Sequence, residues 1–253
     1  MAYRVYRTNF DFSFGYGITP VVKKLVIANV AVFVASVLAE PVGVGSVVRI
    51  LMLTPYAVTH NLAIWQLATY LFLHAGFWHI LFNMFGLWMF GCDLERTWGS
   101  RRFLQYYFLT GIGAGLIIVL LSPSSPIPTV GASGAIYGVL LAFGVLFPTR
   151  IILVPVFFFF FIPIQAKYLV MIMGGIAFLS AVSAPGSTVS HVGHLGGLVV
   201  GLIYLRGRPY YFEFRNRYYR WRRQRLQRQF EVYMRKRGDR PEQEEPRRGP
   251  WVN

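Results

Sequence analysis

The sequence predicts an all-α polytopic membrane protein with six transmembrane helices and both termini in the cytoplasm. Hydrophobic residues make up 55% of the chain and charged residues only 14%. The ionised residues between Leu25 and Leu205 fall in connections or at the ends of apolar segments. A spanning helix needs about 20 mostly apolar residues, and the chain contains several segments of that kind.

Six spans are expected from the apolar segments. They cover residues 21–39, 66–90, 103–121, 133–147, 167–184 and 189–205. Residues 151–164 are also apolar, but Pro155 and Pro163 interrupt them, and the segment is rich in β-branched and aromatic residues,. We therefore expect a buried hairpin or re-entrant connection there, with a seventh span as the alternative.

The charges in the connections predict the orientation of the bundle. Short cytoplasmic loops carry an excess of Lys and Arg, and such residues occur before span one, between spans two and three, between spans four and five, and after span six. The alternate connections carry Glu40 and Arg49 as their only charges. Both termini then face the cytoplasm, which requires an even number of spans. Six spans satisfy this condition and seven do not.

We expect three parts along the chain: a cytoplasmic segment over residues 1–20, a six-helix membrane domain over 21–206 and a basic cytoplasmic tail over 207–253. The tail interleaves arginines and aromatics between Arg215 and Arg225, a pattern that also occurs in nucleic-acid binding. The positive-inside bias favours contact with anionic lipid instead, and no nucleic-acid partner is expected. The single Cys92 excludes an intrachain disulfide framework,.

Two side chains in the apolar segments suggest a catalytic site. Ser133 begins span four within the run Gly131-Ala132-Ser133-Gly134, and His194 lies near the start of span six. The predicted topology places both in the outer layer of the membrane. Because ionisable groups in a bilayer are costly and usually functional, the two residues suggest a serine nucleophile with a histidine base.

Glycine spacing predicts how spans four and six meet. Gly134 and Gly138 are four residues apart on span four, and Gly193, Gly197 and Gly201 continue the same spacing on span six. Small residues at this spacing let membrane helices approach closely. A close crossing would bring the serine and the histidine within hydrogen-bonding distance.

Span two carries a third polar group, formed by His74, His79 and Asn83. His79 and Asn83 are four residues apart and share one helical face. Serine attack on an amide develops an oxyanion that needs preorganised donors, which these side chains and the Ser133 backbone N–H would supply. Polar contacts between helices are the structural alternative for each residue alone. The presence of Ser133 and His194 favours the catalytic interpretation.

These motifs together resemble those of the rhomboid family of intramembrane serine proteases. The resemblance covers most of residues 21–205 and rests on Gly-x-Ser-Gly, His-x4-His-x3-Asn and His-x-x-Gly in this order, with Glu95 followed by Gly99-Ser100. It implies a rhomboid-like bundle with Ser133 as nucleophile and His194 as general base. It also implies an oxyanion hole and supporting residues. The oxyanion hole comprises His79, Asn83 and the Ser133 backbone; the supporting residues are Tyr137, beside the catalytic histidine, His74, Gly131 and Gly197.

Some positions depart from the family pattern or compete with the assigned ones. Trp65-Gln66 stands where the family often has Trp-Arg, which predicts that the first outer loop lacks its arginine anchor. His191 is a rival base by proximity to His194. None of the carboxylates falls within an outer half-helix, so we expect a dyad rather than a triad. No cofactor or metal is expected, since there is no His-Glu-x-x-His run.

The expected function is cleavage of membrane-anchored, single-span proteins within or next to their transmembrane segment. A catalytically silent relative that binds membrane proteins is the main alternative, and a channel or transporter is another. A soluble esterase is excluded by the hydropathy of the chain. The aromatic N-terminus shows no signal or transit peptide pattern, which favours a prokaryotic plasma membrane with the site open to the outer face.

Overall fold

The computed structural model describes residues 17–39, 45–157, 160–183, 191–207 and 225. The helices of the first three ranges are α1 Pro20–Ala39, α2 Gly45–Leu51, α3 Pro55–His60, α4 Gln66–Thr69, α5 Phe77–Trp98, α6 Ser100–Leu121, α7 Ser133–Leu146 and α8 Ala166–Ser183. A further helix, α9, covers residues 191–207. Strands β1 (Ile151–Phe157) and β2 (Phe160–Gln165) lie between α7 and α8. The chain divides into two units, Met1–Leu205 and Arg206–Asn253, and the predicted basic tail lies almost entirely outside the described residues.

The described helices include three that are long and apolar enough to cross a membrane, namely α1, α6 and α8. A fourth span is obtained if the bent pair formed by Gln66–Phe72 and Phe77–Trp98 counts as one. Helix α7 is apolar but shorter. The chain is therefore mostly helical with three to four candidate spans, while six spans and cytoplasmic termini stay predictions. The apolar core lies among α5, α6 and α7, where Leu87, Phe103, Tyr106 and Val139 are fully buried.

The predicted second span, residues 66–90, is wrong as one continuous helix. Helix α4 passes into a 3₁₀ turn over Tyr70–Phe72, and α5 starts only at Phe77, at an angle of 97° to the first part. Leu73 is extended, with φ −91° and ψ 144°, and so is Gly76. This break places His79 in the first turn of a helix rather than in the middle of one.

The connection between α1 and α4 contains structure that the sequence did not indicate. Besides α2 and α3, Leu53 forms an isolated antiparallel bridge with Thr129, with backbone N···O distances of 3.0 and 2.8 Å. Two more bonds join the same segments: Tyr56 N–H to the Ser125 carbonyl (3.0 Å) and the Thr59 hydroxyl to the Pro123 carbonyl (2.8 Å). The loop that leads to Ser133 is therefore held along its length by the connection between α1 and α4.

Glu95 links the ends of three helices. Its buried carboxylate accepts hydrogen bonds from the Thr19 hydroxyl at 2.5 Å, the backbone N–H groups of Val21 and Val22 at 3.0 Å, and the Ser100 hydroxyl at 2.6 Å. A carboxylate satisfies the free N–H groups at a helix N-terminus and is stabilised by the helix dipole. Glu95 on α5 therefore caps α1 and contacts the first residue of α6.

The segment after α7 forms the expected hairpin, although it is not buried throughout. Strands β1 and β2 pair antiparallel, with Ile152 opposite Ile164 and Val154 opposite Ile162. Ile152 is buried against the core, whereas Phe161 and Ile162 are 56% and 52% exposed. The alternative of a seventh helical span is wrong, because these residues form strands.

We expect Glu95→Ala to lower the free energy of unfolding by about 2–3 kcal/mol, since charge-assisted hydrogen bonds to two backbone donors and two hydroxyls are lost. Glu95→Gln keeps one acceptor oxygen and should lose less. The measurement is thermal or denaturant unfolding in detergent, with the exposed Gln105→Ala on α6 as the control. An unfolding curve of Glu95→Ala that coincides with that of Gln105→Ala would contradict the capping role.

Candidate active site

The site is built where α7 and α9 cross with no side chain between their backbones. A Cβ at Gly197 would overlap the Gly134 carbonyl oxygen, and one at Gly201 would lie 3.4 Å from the Gly138 Cα. Gly197 and Gly201 therefore face the α7 backbone in the close crossing that their spacing predicted, while Cβ positions at Gly134 and Gly138 point at Ala114 and Thr110 on α6. The Tyr106 hydroxyl on α6 donates to the Gly138 carbonyl at 2.7 Å and lies 2.6 Å from the Cβ position of Gly201, so it contacts both helices at their crossing.

This crossing brings Ser133 and His194 into direct contact. The His194 Nε2 lies 2.8 Å from the Ser133 Oγ. Ser133 is the first residue of α7, so its backbone N–H is one of the donors that an α-helix leaves free at its N-terminus. Both side chains are partly buried. The pair thus has the geometry of a nucleophile and its base.

Tyr137 contacts one face of the His194 imidazole. Its ring stacks on His194 with 4.3 Å between centroids and 7° between planes. Tyr137 lies one turn after Ser133 on α7, so one helix positions both groups that contact His194. The stacking fixes the plane of the imidazole and leaves Nε2 directed at the serine.

The loop before Ser133 is shaped by Gly131. Its φ is +122°, and its N–H donates to the Tyr70 carbonyl at 2.9 Å. A Cβ at this position would lie 2.8 Å from both Cε1 and Nε2 of His79. Glycine is required here for two reasons: its backbone conformation and the close approach of the histidine ring.

His79 presents a defined nitrogen to that loop. The Ala75 N–H donates to His79 Nδ1 at 3.3 Å, which assigns the remaining proton of the neutral ring to Nε2. Nε2 is the atom next to Gly131. The buried Asn83 donates through Nδ2 to the His79 carbonyl at 2.8 Å, so one amide hydrogen of Asn83 is used within α5 and the other is left for a ligand.

Two further histidines, His74 and His191, contact the site without bonding to the serine. His74 is buried edge-on against the ring of His79, with 5.1 Å between centroids, and its ring nitrogens have no hydrogen-bond partner within the described part of the chain. His191 meets His194 edge-on at 6.0 Å. The described residues contain no group of three or more His, Cys, Asp or Glu arranged to hold a metal ion.

Position 66 lacks the arginine of the family pattern, as the sequence showed, but the loop between α1 and α4 is still anchored, because Gln66 takes that role. Its buried side chain accepts from the Thr54 N–H at 2.9 Å and donates to the Ile50 carbonyl at 3.0 Å. Trp65 donates to the same carbonyl at 3.0 Å. A neutral amide can both donate and accept hydrogen bonds, so Gln66 binds two backbone groups of the loop without a charge. Sequence comparison with an arginine pattern could not reveal this.

Apolar helices that carry a hydrogen-bonded serine and histidine define an integral membrane protein with a serine–histidine site. A family model described as the rhomboid domain matches residues 61–208, more than half of the chain. The chain belongs to the rhomboid family.

Several relatives agree with this assignment. The chain is 36% identical over 139 residues to Rhomboid protease GluP of Bacillus subtilis (strain 168), covering 54% of this chain and 24% of that protein. It is 33% identical over 138 residues to the mitochondrial Rhomboid protein 1 of Saccharomyces cerevisiae, covering 53% and 38%. It is 34% identical over 141 residues to Putative rhomboid protease YdcA of Bacillus subtilis (strain 168), covering 55% and 64%. The matched part is thus less than two thirds of the length of each relative.

We expect Gly197→Ala to destabilise the fold by about 1–3 kcal/mol, the usual cost of overpacking, and to lower any peptide cleavage at least about tenfold. The added methyl overlaps the Gly134 carbonyl and must push α9 from α7, which lengthens the contact between Ser133 and His194. The measurements are substrate cleavage and thermal unfolding of the same preparation. The matched control is Gly175→Ala on α8, where nothing lies within 4 Å of the new methyl. Equal cleavage by the two variants would show that the crossing tolerates a side chain.

Proposed function

We propose that the chain is an intramembrane serine endopeptidase that cleaves membrane-anchored proteins within or next to their transmembrane segment. The observation that carries the proposal is the 2.8 Å contact between Ser133 Oγ and His194 Nε2 at a crossing of two apolar helices. The relatives named as rhomboid proteases support peptidase activity of this kind.

The proposed reaction proceeds through an acyl-enzyme. His194 Nε2 accepts the Ser133 hydroxyl proton while Oγ attacks the carbonyl carbon of the scissile bond. The tetrahedral intermediate collapses, the C–N bond breaks, and the leaving amine takes the proton from His194. A water molecule then attacks the acyl carbon and gives a proton to His194, and the C–O bond to Ser133 breaks with return of the proton to Oγ.

We assign stabilisation of the oxyanion to three hydrogen-bond donors around the start of α7. The Ser133 N–H lies at the helix N-terminus, where the helix dipole also favours negative charge. His79 Nε2–H and the second amide hydrogen of Asn83 come from the first two turns of α5. Asn83 is buried, and Ser133 and His79 are partly buried; donors held in place in this way are effective for a developing charge.

A dyad suffices in this proposal because neither carboxylate of the described residues is placed to form a triad. Asp93 and Glu95 are the carboxylates within the described residues, and both lie toward the C-terminal end of α5, far along the helix from His79. Asp93 pairs with Arg96 and Arg150 at 3.1 and 2.8 Å, and Glu95 caps α1. The orientation of the imidazole, which an aspartate provides in a triad, is provided here by stacking on Tyr137.

The cellular setting is part of the proposal. Six spans with both termini in the cytoplasm would place the site near the outer face of a prokaryotic plasma membrane, and the tail over residues 207–253 would lie on anionic lipid. Substrates would be single-span proteins whose helix unwinds readily near that face, because a helical backbone shields its own amides. Glycine and other poor helix formers near the cut lower this cost. The domain limits, residues 1–20, 21–206 and 207–253, belong to the same proposal.

The deciding experiment compares cleavage of a reconstituted single-span substrate by the wild type, Ser133→Ala and His194→Ala. We expect each variant to lose at least about 10³-fold in kcat/KM, the scale seen when a serine or its base is removed. His191→Asn is the matched control and should stay within about threefold of the wild type. A His191→Asn loss as large as that of His194→Ala would transfer the base to His191.

A serine-reactive phosphonate probe separates inactivity from a wrong substrate. We expect labelling of Ser133 in the wild type and none in Ser133→Ala. Absence of both labelling and cleavage in a folded wild-type protein would support the alternative, a catalytically silent rhomboid-like binder of membrane proteins.

We expect Asn83→Ala to lower kcat by about 10²-fold with little change in KM, because an oxyanion donor acts mainly in the transition state. Steady-state cleavage kinetics measure the split between the two constants. The exposed Phe82→Ala on the adjacent position of α5 is the control for local damage. A rise in KM with unchanged kcat would assign Asn83 to substrate binding instead.

A further inference from the structure

The β1–β2 hairpin carries apolar side chains that the helical bundle does not cover. Phe161 and Ile162 are 56% and 52% exposed, and Ile151 is also exposed. The segment from Ile151 to Ile164 contains no charged or hydrogen-bonding side chain. A surface of this kind marks a contact with a membrane or another protein.

The base of the hairpin is anchored, whereas Phe161 and Ile162 further along β2 are exposed. Ile152 is buried, and Val154 and Ile164 pack against the same core. The Ala166 N–H donates to the Arg150 carbonyl at 2.8 Å and closes the base. A two-stranded hairpin is marginal in water without a further surface to cover it, so the exposed part around Phe161 needs an apolar environment.

The location of the hairpin indicates lipid as that environment. It follows the C-terminal end of α7, so it lies at the end of that helix opposite Ser133. It leads directly into α8, a candidate membrane span whose Met171 is 69% exposed. Basic residues flank it on both sides: Arg150, which also pairs with Asp93, and Lys167. Their charges complement anionic phospholipid headgroups.

The prolines argue against a second copy of the chain as the partner. Opposite residues in an antiparallel ladder alternate between hydrogen-bonded and non-hydrogen-bonded pairs. Since Ala166 and Arg150 form a hydrogen-bonded pair, the pairs that contain Ile152 and Val154 are hydrogen-bonded as well. Pro163 and Pro155, opposite Leu153 and Phe161, then fall in non-bonded pairs. An ordinary residue there would direct its N–H at the open edge. Proline removes one donor from each edge, which hinders strand addition.

We propose that the hairpin is a lipid-binding element that inserts into the membrane leaflet opposite the one nearest Ser133. Its open edges keep other backbone N–H and C=O groups, which hydrocarbon cannot satisfy. The hairpin therefore lies at the boundary between headgroups and acyl chains rather than in the bilayer centre. Phe161 and Ile162 lie on opposite faces of β2,, so both faces are uncovered there, and this part lies among the acyl chains. Arg150 and Lys167 at the base lie near the headgroups.

The test uses spin labels on single cysteines in full-length protein, reconstituted in vesicles of phosphatidylcholine and phosphatidylglycerol. The buried Cys92, the one native cysteine, is replaced by alanine. Labels are placed at Ile162 on the hairpin, Met171 on the lipid-facing side of α8 and the exposed Ser124 in the loop before α7. Collisions with oxygen, which partitions into lipid, are compared with collisions with an aqueous nickel chelate. Thermal unfolding confirms that each labelled variant is folded.

We expect the oxygen-to-nickel collision ratio at Ile162 to exceed that at Ser124 by at least about threefold and to approach that at Met171. A ratio at Ile162 equal to that at Ser124 would overturn the proposal and leave the hairpin in water. Spin–spin broadening at Ile162 that disappears on dilution with unlabelled protein would also overturn it, by assigning the surface to a second copy. The readout needs no cleavage, so it stands or fails separately from the proposed peptidase activity.

Discussion

The close crossing of α7 and α9 is the constraint on which the site depends. Gly134 and Gly197 meet with no side chain between them, and Gly138 and Gly201 repeat the contact further along. The serine and the histidine are thereby carried by rigid helices rather than by loops. Helix-borne groups hold their geometry within the narrow limits that reaction at a nucleophile requires. A 2.8 Å contact between Oγ and Nε2 follows from packing alone.

The connection between α1 and α4 adds a second constraint, on the loop that leads to Ser133. Gln66 fixes that connection internally, the Leu53–Thr129 bridge joins it to the loop, and the Tyr70 carbonyl holds the N–H of Gly131. The positive φ of Gly131 then lets His79 approach the start of α7. Each of these contacts is buried or backbone-mediated, so the loop has few alternative conformations, and the donors around Ser133 are arranged before any substrate binds.

Features set by local sequence were predictable, and features set by tertiary contacts were not. The start of α7 at Ser133, the facing glycines and the His79–Asn83 face follow from spacing on single helices. The break between α4 and α5 could not be predicted in this way, because the hydropathy of a segment is the same whether its helix is straight or bent. Gly76 alone does not specify a bend of 97°. The role of Gln66 depends on where Ile50 and Thr54 fold back. The exposure of Phe161 depends on which hairpin face meets the core. The roles of Ser133 and His194 in catalysis stay predictions.

The distribution of charge along the bundle fits the dyad that we propose. The carboxylates of the described residues lie at one end of α5, where Asp93 binds two arginines and Glu95 binds helix donors. A third carboxylate beside His194 would need its own partners in a low-dielectric setting, and an incompletely compensated charge there would cost several kcal/mol of folding free energy. Stacking on Tyr137 orients the imidazole without that cost. Charged groups thus stabilise the helix ends, while neutral groups and glycine packing position Ser133 and His194.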